Sequence, residues 1–384
     1  MIPILGAPRR LCAALLLACA AVLPGPGTAA AADAAPITTG AVFNDPKGTS
    51  AEQNAVKNHI IGAIGNTQSG RLIRAALYAV TDQGYTDALL AAHARGVGVR
   101  VVLDASYSDS AAARSLIAGL GTDESAGSWV HVCATGGACV ATGGTNAINH
   151  NKFFTFSRIG DAGVAEDVVI QTSANQTPVN VTKYWNNAYT RVGNTELYTA
   201  YARYFDDLVA ERKSDDYYTN AKVGTEKYYF FPQKTGDVVV DILRNVSCTG
   251  NTTVGTATHK SVVRVAAFAL HRDEVADALA SLAAQGCSVQ VVYANSNDAA
   301  GLGGRANLTL RQLNADGYLV HSKYLLVEGN YAGHPDTKWT FTGSHNLDYS
   351  SLRDNDEALL RVEGAATHDA YARNFAALLA QAAG

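Results

Sequence analysis

The chain has 384 residues, 47% of them apolar and 17% charged, and a formal net charge of −4. That length suits two to three domains or one large double-lobed unit, and that composition excludes a disordered polymer. Strong nonspecific nucleic-acid binders are usually basic, because phosphate neutralisation supplies their affinity, so the acidic balance argues against nucleic acid as the partner.

The first predicted element is a signal peptide over residues 1–32. Arg9 and Arg10 form a positive n-region, Leu11 to Leu23 an apolar h-region, and Ala30-Ala31-Ala32 a small-residue cleavage site after a Pro/Gly break. Export with cleavage near Ala32 is therefore expected, and the mature protein is read as secreted. Loss of Arg9 and Arg10 takes the formal charge from −4 to −6. Cys12 and Cys19 fall in the signal, leaving Cys133, Cys139, Cys248 and Cys287. An even number of cysteines in an exported chain suggests disulfides, with three pairings open. Cys133 with Cys139 is the local choice, closing the loop "CATGGAC", and Cys248 with Cys287 would then tie together the second half. The spacing is poor for zinc, and no metal or other cofactor is expected.

Next comes an internal repeat. "RLIRAALYAVTDQGYTDALLAAHARGVGVRVVLDAS" from Arg71 aligns without a gap on "SVVRVAAFALHRDEVADALASLAAQGCSVQVVYANS" from Ser261, at an offset of 190. Each copy reads as an apolar strand, a helix ended by Gly96 or Gly286, and a second strand, which is a βαβ unit with parallel strands. The correspondence resumes at an offset of 171 for His150 and His321, Lys152 and Lys323, and Asn175 and Asn346. One residue then drops out, and "AYARYFDDLVA" from Ala200 matches "AYARNFAALLA" from Ala370 at 170, an amphipathic helix closing each half. In this alignment Asn187 stands opposite Glu357. The predicted fold is α/β and duplicated: two pseudo-twofold-related lobes, each a mixed, mostly parallel sheet flanked by helices. The halves span 33–212 and 226–384, joined by a polar linker at 213–225.

The polar residues that recur are His150, Lys152, Ser173 and Asn175, answered by His321, Lys323, Ser344 and Asn346, with Glu357 further on. His and Lys at i and i+2 share one face of a strand. Each "HxK" runs into an apolar strand, and a second strand delivers Ser and Asn at its C-terminal end, where open α/β sheets place ligands. Lys and the Asn amide suit phosphoryl oxygens, and His can attack phosphorus or shuttle a proton. One half offers one such His; two halves offer a nucleophile and an acid.

"HNK" followed by "TSAN", and "HSK" followed by "TGSHN", resemble the paired HxK motifs of the phospholipase D superfamily, over essentially the whole mature chain. The resemblance implies a single site between the lobes and a phosphohistidine intermediate resolved by water or an alcohol, with no metal required. It assigns His150, Lys152, Asn175, His321, Lys323 and Asn346 to catalysis and Ser173 and Ser344 to substrate binding. The family motif continues to an Asp five residues after Lys; here Ser157 and Glu328 take that place. Glu357 is expected to back His321 and keep it protonated as the acid, with His150 the nucleophile. The expected activity is a secreted phospholipase D, hydrolysing glycerophospholipids to phosphatidate and head group, with alcohol exchange in addition. A phospholipid at a membrane or micelle surface is the expected partner, and the protein is read as a monomer. The rival readings are a secreted nuclease with the same site and a decayed phospholipid-binding protein. His345, inside "GSHN", has no counterpart in the first half. Asp104 and Asp109 are read as solvated loop acids, Trp185 and Trp339 as core, and "GLGGRANLTLRQL" from Gly301 as a loop over the site mouth.

Overall fold

The repeat alignment and the strand pairing agree on the parallel βαβ unit of each half, but the expected mostly parallel sheets are corrected. Antiparallel pairs outnumber parallel ones in both, because each half follows its βαβ unit with strands that pair antiparallel to their chain neighbours. In the computed structural model, residues 1, 3, 6 and 36–382 are described, apart from 135, 136, 145 and 161–163. The expected signal segment, with Cys12 and Cys19, therefore lies almost wholly outside the described residues. Among these, no helix is long and apolar enough to cross a membrane.

The first half contributes strands β1 (Gly40–Phe43), β2 (Leu72–Leu77), β3 (Gly98–Leu103), β4 (Trp129–Val132), β5 (Lys152–Ile159), β6 (Ala165–Thr172), β7 (Tyr184–Trp185) and β8 (Asn187–Arg191). Its sheet runs β1-β8-β6-β5-β2-β3-β4. The expected βαβ unit is β2 and β3, parallel from Leu72 opposite Gly98, with helix α3 (Gln83–Ala94) between them, after α1 (Ser50–Gln53) and α2 (Ala55–Gly65). Asp82 starts α3 by accepting from the Gly84 N–H and pairing with Lys57 at 2.6 Å. Helices α4 (Ala111–Leu120), α5 (Pro178–Thr182) and α6 (Thr195–Val209) complete the half.

The second half adds β9 (Thr219–Val223), β10 (Glu226–Phe230), β11 (Val246–Ser247), β12 (Val262–Leu270), β13 (Ser288–Ser296), β14 (Leu308–Gln312), β15 (Asn314–Ala315), β16 (Tyr318–Val320), β17 (Lys323–Tyr331), β18 (His334–Gly343) and β19 (Ala358–Glu363). Its sheet runs β14-β13-β12-β17-β18-β19-β10-β9, with β11 on β17. The helices are α7 (Val238–Arg244), α8 (Asp273–Ala284), α9 (Ala299–Leu302), α10 (Tyr349–Arg353) and α11 (Ala365–Gln381). Residues read as a linker include β9, which pairs with β10 at the sheet edge. The Gly-rich stretch from Gly301 is not simply a loop: its second part is β14, parallel to β13. Both disulfides join the expected partners, Cys133 to Cys139 and Cys248 to Cys287. Trp185 and Trp339 are buried, as read.

The helices expected merely to close each half also lie between the sheets. Tyr201, Tyr204 and Phe205 of α6 pack on Phe153 of the first sheet and on Phe230 and Leu360 of the second. Tyr371 and Phe375 of α11 pack on Val292 and Leu326 of the second sheet, with Phe43 of the first against them. Each fully buried aromatic here contributes about 1.5–3 kcal/mol of apolar burial. These two helices therefore fix the lobes to one another, which a composite site requires.

Candidate functional site

Two backbone crossovers bring the motifs together. The His150 N–H donates to the Asp356 carbonyl at 3.0 Å, and the His321 N–H donates to the Trp185 carbonyl at 2.9 Å. Asn149 bridges to Asp356, and Val320 pairs with Trp185, in parallel register. Each half thus threads the residue before its own His alongside the other half. The strands β5 and β17 begin at Lys152 and Lys323, at the edge where β2 and β12 end.

Around each His the arrangement repeats. Lys152 Nζ donates to the His150 carbonyl at 2.8 Å, and Lys323 Nζ to the His321 carbonyl at 2.7 Å. Tyr78 lies under the first pair, 5.2 Å from the His150 ring and 5.2 Å from Lys152 Nζ. Its counterpart Phe268 lies 4.9 Å from the His321 ring and 5.2 Å from Lys323 Nζ. The Asn175 N–H donates to Asn180 Oδ1, and the Asn346 N–H to Ser351 Oγ. Both asparagines keep a buried Oδ1 with no partner among the described residues. All four His and Lys side chains are buried.

The ring partners correct the expected assignment. Glu357 does not back His321. Its Oε1 accepts from His150 Nδ1 at 2.6 Å, across the interface between halves. His321 Nδ1 instead meets Asn186 Oδ1 at 2.8 Å. The amide orientation of Asn186 follows from its own bonds, since Nδ2 donates to the carbonyls of Asn180 and Tyr184 at 3.0 and 3.1 Å. Asn186, not Asn187, is therefore the counterpart of Glu357. Strand pairing shows why: Thr172 sits opposite Ala188, and Gly343 opposite Leu359, so the offset of 171 holds through β8 and β19. The dropped residue falls after these strands, before α6 and α11. Asn187 points elsewhere, donating to Thr342 and Tyr371.

Ser173 and Ser344, expected to bind substrate, bond to the residues behind the two histidines. Ser173 Oγ donates to Asn186 Oδ1 at 3.0 Å, and Ser344 Oγ donates to Glu357 Oε2. Each also accepts the next strand's first N–H, Asn187 or Ala358. Ser351 Oγ completes the set, reaching Glu357 Oε1 at 2.8 Å.

Sequence reasoning missed two further acids. Asp104 is buried rather than solvated, and its Oδ2 accepts the Asn149 N–H at 2.7 Å; Asp109 is exposed, as read. Asp356 collects the N–H groups of Cys139, Val140 and Ala141, so the disulfide-closed loop of the first half is held by the residue next to Glu357. A lone acid in a loop gives no sequence signal for either role. Ser157 and Glu328, at the motif's acid position, stand away from the ring partners. Ser157 Oγ accepts the Leu72 N–H at 3.0 Å, and Glu328 pairs with Arg264 at 3.2 Å.

The charges set a consistent state. Burial opposes ionisation of Glu357, but His150 and Lys152 outweigh it and hold the carboxyl down at about 2. Burial pushes His150 below the ordinary histidine range, against the pull of Glu357. An anionic Glu357 can only accept, so His150 is neutral with its proton on Nδ1 and a free lone pair on Nε2. Burial, then Lys323 and Lys152, push His321 well below its ordinary value. The expected standing imidazolium is therefore corrected: Asn186 supplies a dipole where a carboxylate would supply charge. Burial takes Lys152 down to about 7, and burial with repulsion from Lys152 depresses Lys323 further. Burial leads each of the histidine and lysine depressions, with Lys152 and Lys323 adding repulsion at the two histidines, and a bound anion would offset that lysine charge. The arrangement can bind a phosphodiester anion between two lysines and two asparagine amides, with a nucleophilic nitrogen on one side and a proton carrier on the other.

The sequence model of the family described as "Cardiolipin synthase, PLD-like domain" matches residues 60–209 and 254–379. A search of curated protein sequences gives no match. Among solved structures, phosphatidylserine synthase of Haemophilus influenzae Rd KW20 is similar at 15% identity and a TM-score of 0.60, over 89% of this chain and 86% of that one. Polyphosphate kinase of Porphyromonas gingivalis is similar at 13% identity and a TM-score of 0.59, over 89% of this chain. The chain spans only 50% of the kinase's length. At these identities the likeness is one of fold.

Proposed function

Because the chain belongs to the phospholipase D superfamily, with its two family matches falling on the two halves, we propose that it is an exported phospholipase D. It hydrolyses glycerophospholipids to phosphatidate and free head group, and exchanges the head group when an alcohol is present. The observation that carries the mechanism is the crossed pairing of His150 with Glu357 and of His321 with Asn186. His150 Nε2 attacks phosphorus, and the Nδ1 proton stays hydrogen-bonded to Glu357. As the nitrogen–phosphorus bond forms, the ring becomes cationic against a fixed carboxylate, which stabilises the transition state. Lys152, Lys323, Asn175 and Asn346 neutralise and orient the phosphoryl oxygens.

His321 gives its proton to the leaving oxygen. Its depressed pKa means that the proton is taken up as the substrate anion enters, since the anion offsets Lys323 and Lys152. Water or an alcohol then attacks the phosphohistidine, returning a proton to His321 and breaking the nitrogen–phosphorus bond. The lipid reading is supported by the signal-like N-terminus, the two disulfides and the acidic balance, which fit an exported enzyme better than a nucleic-acid binder.

The test is a substrate panel in EDTA: phosphatidylcholine with and without ethanol, and plasmid DNA. Phosphatidate, and phosphatidylethanol with ethanol present, are expected. DNA nicking without lipid turnover would reject the lipase reading in favour of a nuclease. Silence on both would favour a binding protein, and loss of activity in EDTA would argue against a metal-free histidine mechanism.

A further inference from the structure

The two histidines are supported by different chemistry. His150 has the Glu357 carboxylate at Nδ1, whereas His321 has the neutral Asn186 amide there. The ionisable groups that act on the His321 ring are Lys323 on its own strand, and Lys152 and His150 from the first half. All three oppose its protonation. An acid in that setting needs another group that favours its charged form.

A second aromatic ring meets that need. Tyr78 and Phe268 are counterparts, 5.2 and 4.9 Å from the rings of their own histidines. His321 has Tyr184 in addition, stacked on it with centroids 5.5 Å apart and ring planes 23° from parallel. At the offset of 171, the first histidine meets Asn355 instead, whose Oδ1 accepts the Ile148 N–H at 3.2 Å. Tyr184 is carried on backbone already committed to the site. Its strand β7 pairs with β16, and its carbonyl accepts from Nδ2 of Asn44 and of Asn186 at 3.0 and 3.1 Å. One residue thus fixes the amide at Nδ1 of His321 and covers the imidazole with its ring. Lys183, the residue before it, lies over the Tyr318 ring at 3.9 Å.

An aromatic face is electron-rich, and a cation within about 6 Å of the ring centroid is drawn to it, more strongly where water is excluded. His321 is buried, and Tyr184 is half-buried against it. We propose that Tyr184 is a positioning residue for His321, its ring face supporting the imidazolium form of the acid where a carboxylate supports His150. When Nε2 gives its proton to the leaving oxygen, the phosphorus–oxygen bond breaks with its electron pair on oxygen. The ring is then neutral, and the attraction to Tyr184 falls away. The inference rests on the two-histidine phosphodiesterase reading, with His321 as the acid.

The test uses the full chain, Tyr184→Leu and Tyr184→Phe, with choline release from dibutyrylphosphatidylcholine followed against pH. Leucine keeps His321 covered but removes the ring face, so the imidazolium loses support and the acid form is lost at lower pH. The descending alkaline limb of kcat should move down by about 0.4 to 1.5 pH units. The variant should match the unaltered protein on the acid side and fall about 2- to 30-fold below it on the alkaline side. Tyr184→Phe keeps the face and should restore the limb. A loss that is the same at every pH, an unmoved limb, or a Tyr184→Phe limb displaced as far as that of Tyr184→Leu overturns the proposal. If Tyr184→Leu lacks a cooperative melt, Tyr184→Met takes its place. If no choline is released by the unaltered protein, the lipase reading fails at that step. The stack is then judged without turnover, by NMR titration of the His321 ring in excess inorganic phosphate, its resonance identified by its loss in His321→Asn. A lower pKa in Tyr184→Leu than in Tyr184→Phe upholds the support; equal values overturn it.

Discussion

Glu357 of the second half bonds Nδ1 of His150 in the first half at 2.6 Å, while Ser344 and Ser351 hold its two oxygens. The contact is fully buried and charge-assisted, and it joins the lobes at the nitrogen opposite the reacting one. Glu357→Gln keeps an acceptor in place but removes the charge that balances the forming phosphohistidinium. We expect kcat to fall about 10²- to 10⁴-fold, with little change in KM and a cooperative melt retained. Steady-state kinetics beside circular dichroism decide it; an unchanged kcat would remove Glu357 from the mechanism.

The division of labour predicts different failures for the two histidines. His150→Ala should abolish turnover of every diester, because no nitrogen remains to attack. His321→Ala should abolish turnover of alkyl esters yet keep a burst of 4-nitrophenol from an activated ester, since that leaving group needs no proton. Stopped-flow absorbance, and mass analysis of the trapped protein kept at neutral to alkaline pH because a phosphohistidine is acid-labile, separate these outcomes. A phosphoryl group found on His321 would reverse the roles.

Asn186→Asp would give His321 the carboxylate that its partner histidine already has. An anion at Nδ1 favours imidazolium, so the folded pKa of His321 should rise. A general acid works in its protonated form, and activity is lost as pH rises through its pKa. The descending alkaline limb of kcat should therefore move to higher pH in the variant. A limb that stays put would show that His321 is not the group titrating there.

Ser157 and Glu328 occupy the positions where the family motif carries its acid, and neither contacts the ring partners. Ser157 ties the start of β2 to β5 through the Leu72 N–H. Ser157→Ala should leave kcat unchanged and cost about 0.5–1.5 kcal/mol of stability. A large loss of kcat at unchanged stability would mean that this position does reach the site.

Which of these residues could be read in advance follows from their physics. His150, Lys152, His321 and Lys323 stand out because a duplicated chain repeats its polar residues at one spacing against an apolar background. The crossed pairing could not be read, because alignment equates positions in the two halves and is silent on which half a side chain enters. Asn186 was missed by one residue, since the sequence alignment placed the dropped residue before β8 while the strand register places it after. Asp104 and Asp356 were illegible for another reason. Their partners are backbone N–H groups, which leave no trace in residue identity.

Asp356 provides a test of that last class. Burial raises its carboxyl to about 7 despite the N–H groups of Ala141, Val140 and Cys139, while an unfolded aspartate titrates near 3.9. The folded state thus holds its proton more tightly than the unfolded one. Its contribution to stability is fully present below about pH 4 and is lost as pH rises toward 7. His150 and His321, with depressed values, act oppositely in the same range. The comparison must therefore be between proteins. Asp356→Asn removes this titration and leaves the histidines, so its melting temperature should be lower throughout but rise relative to the unaltered protein between pH 4 and pH 7. Parallel melting curves across that window would show that Asp356 titrates normally and that the loop's N–H groups hold it ionised.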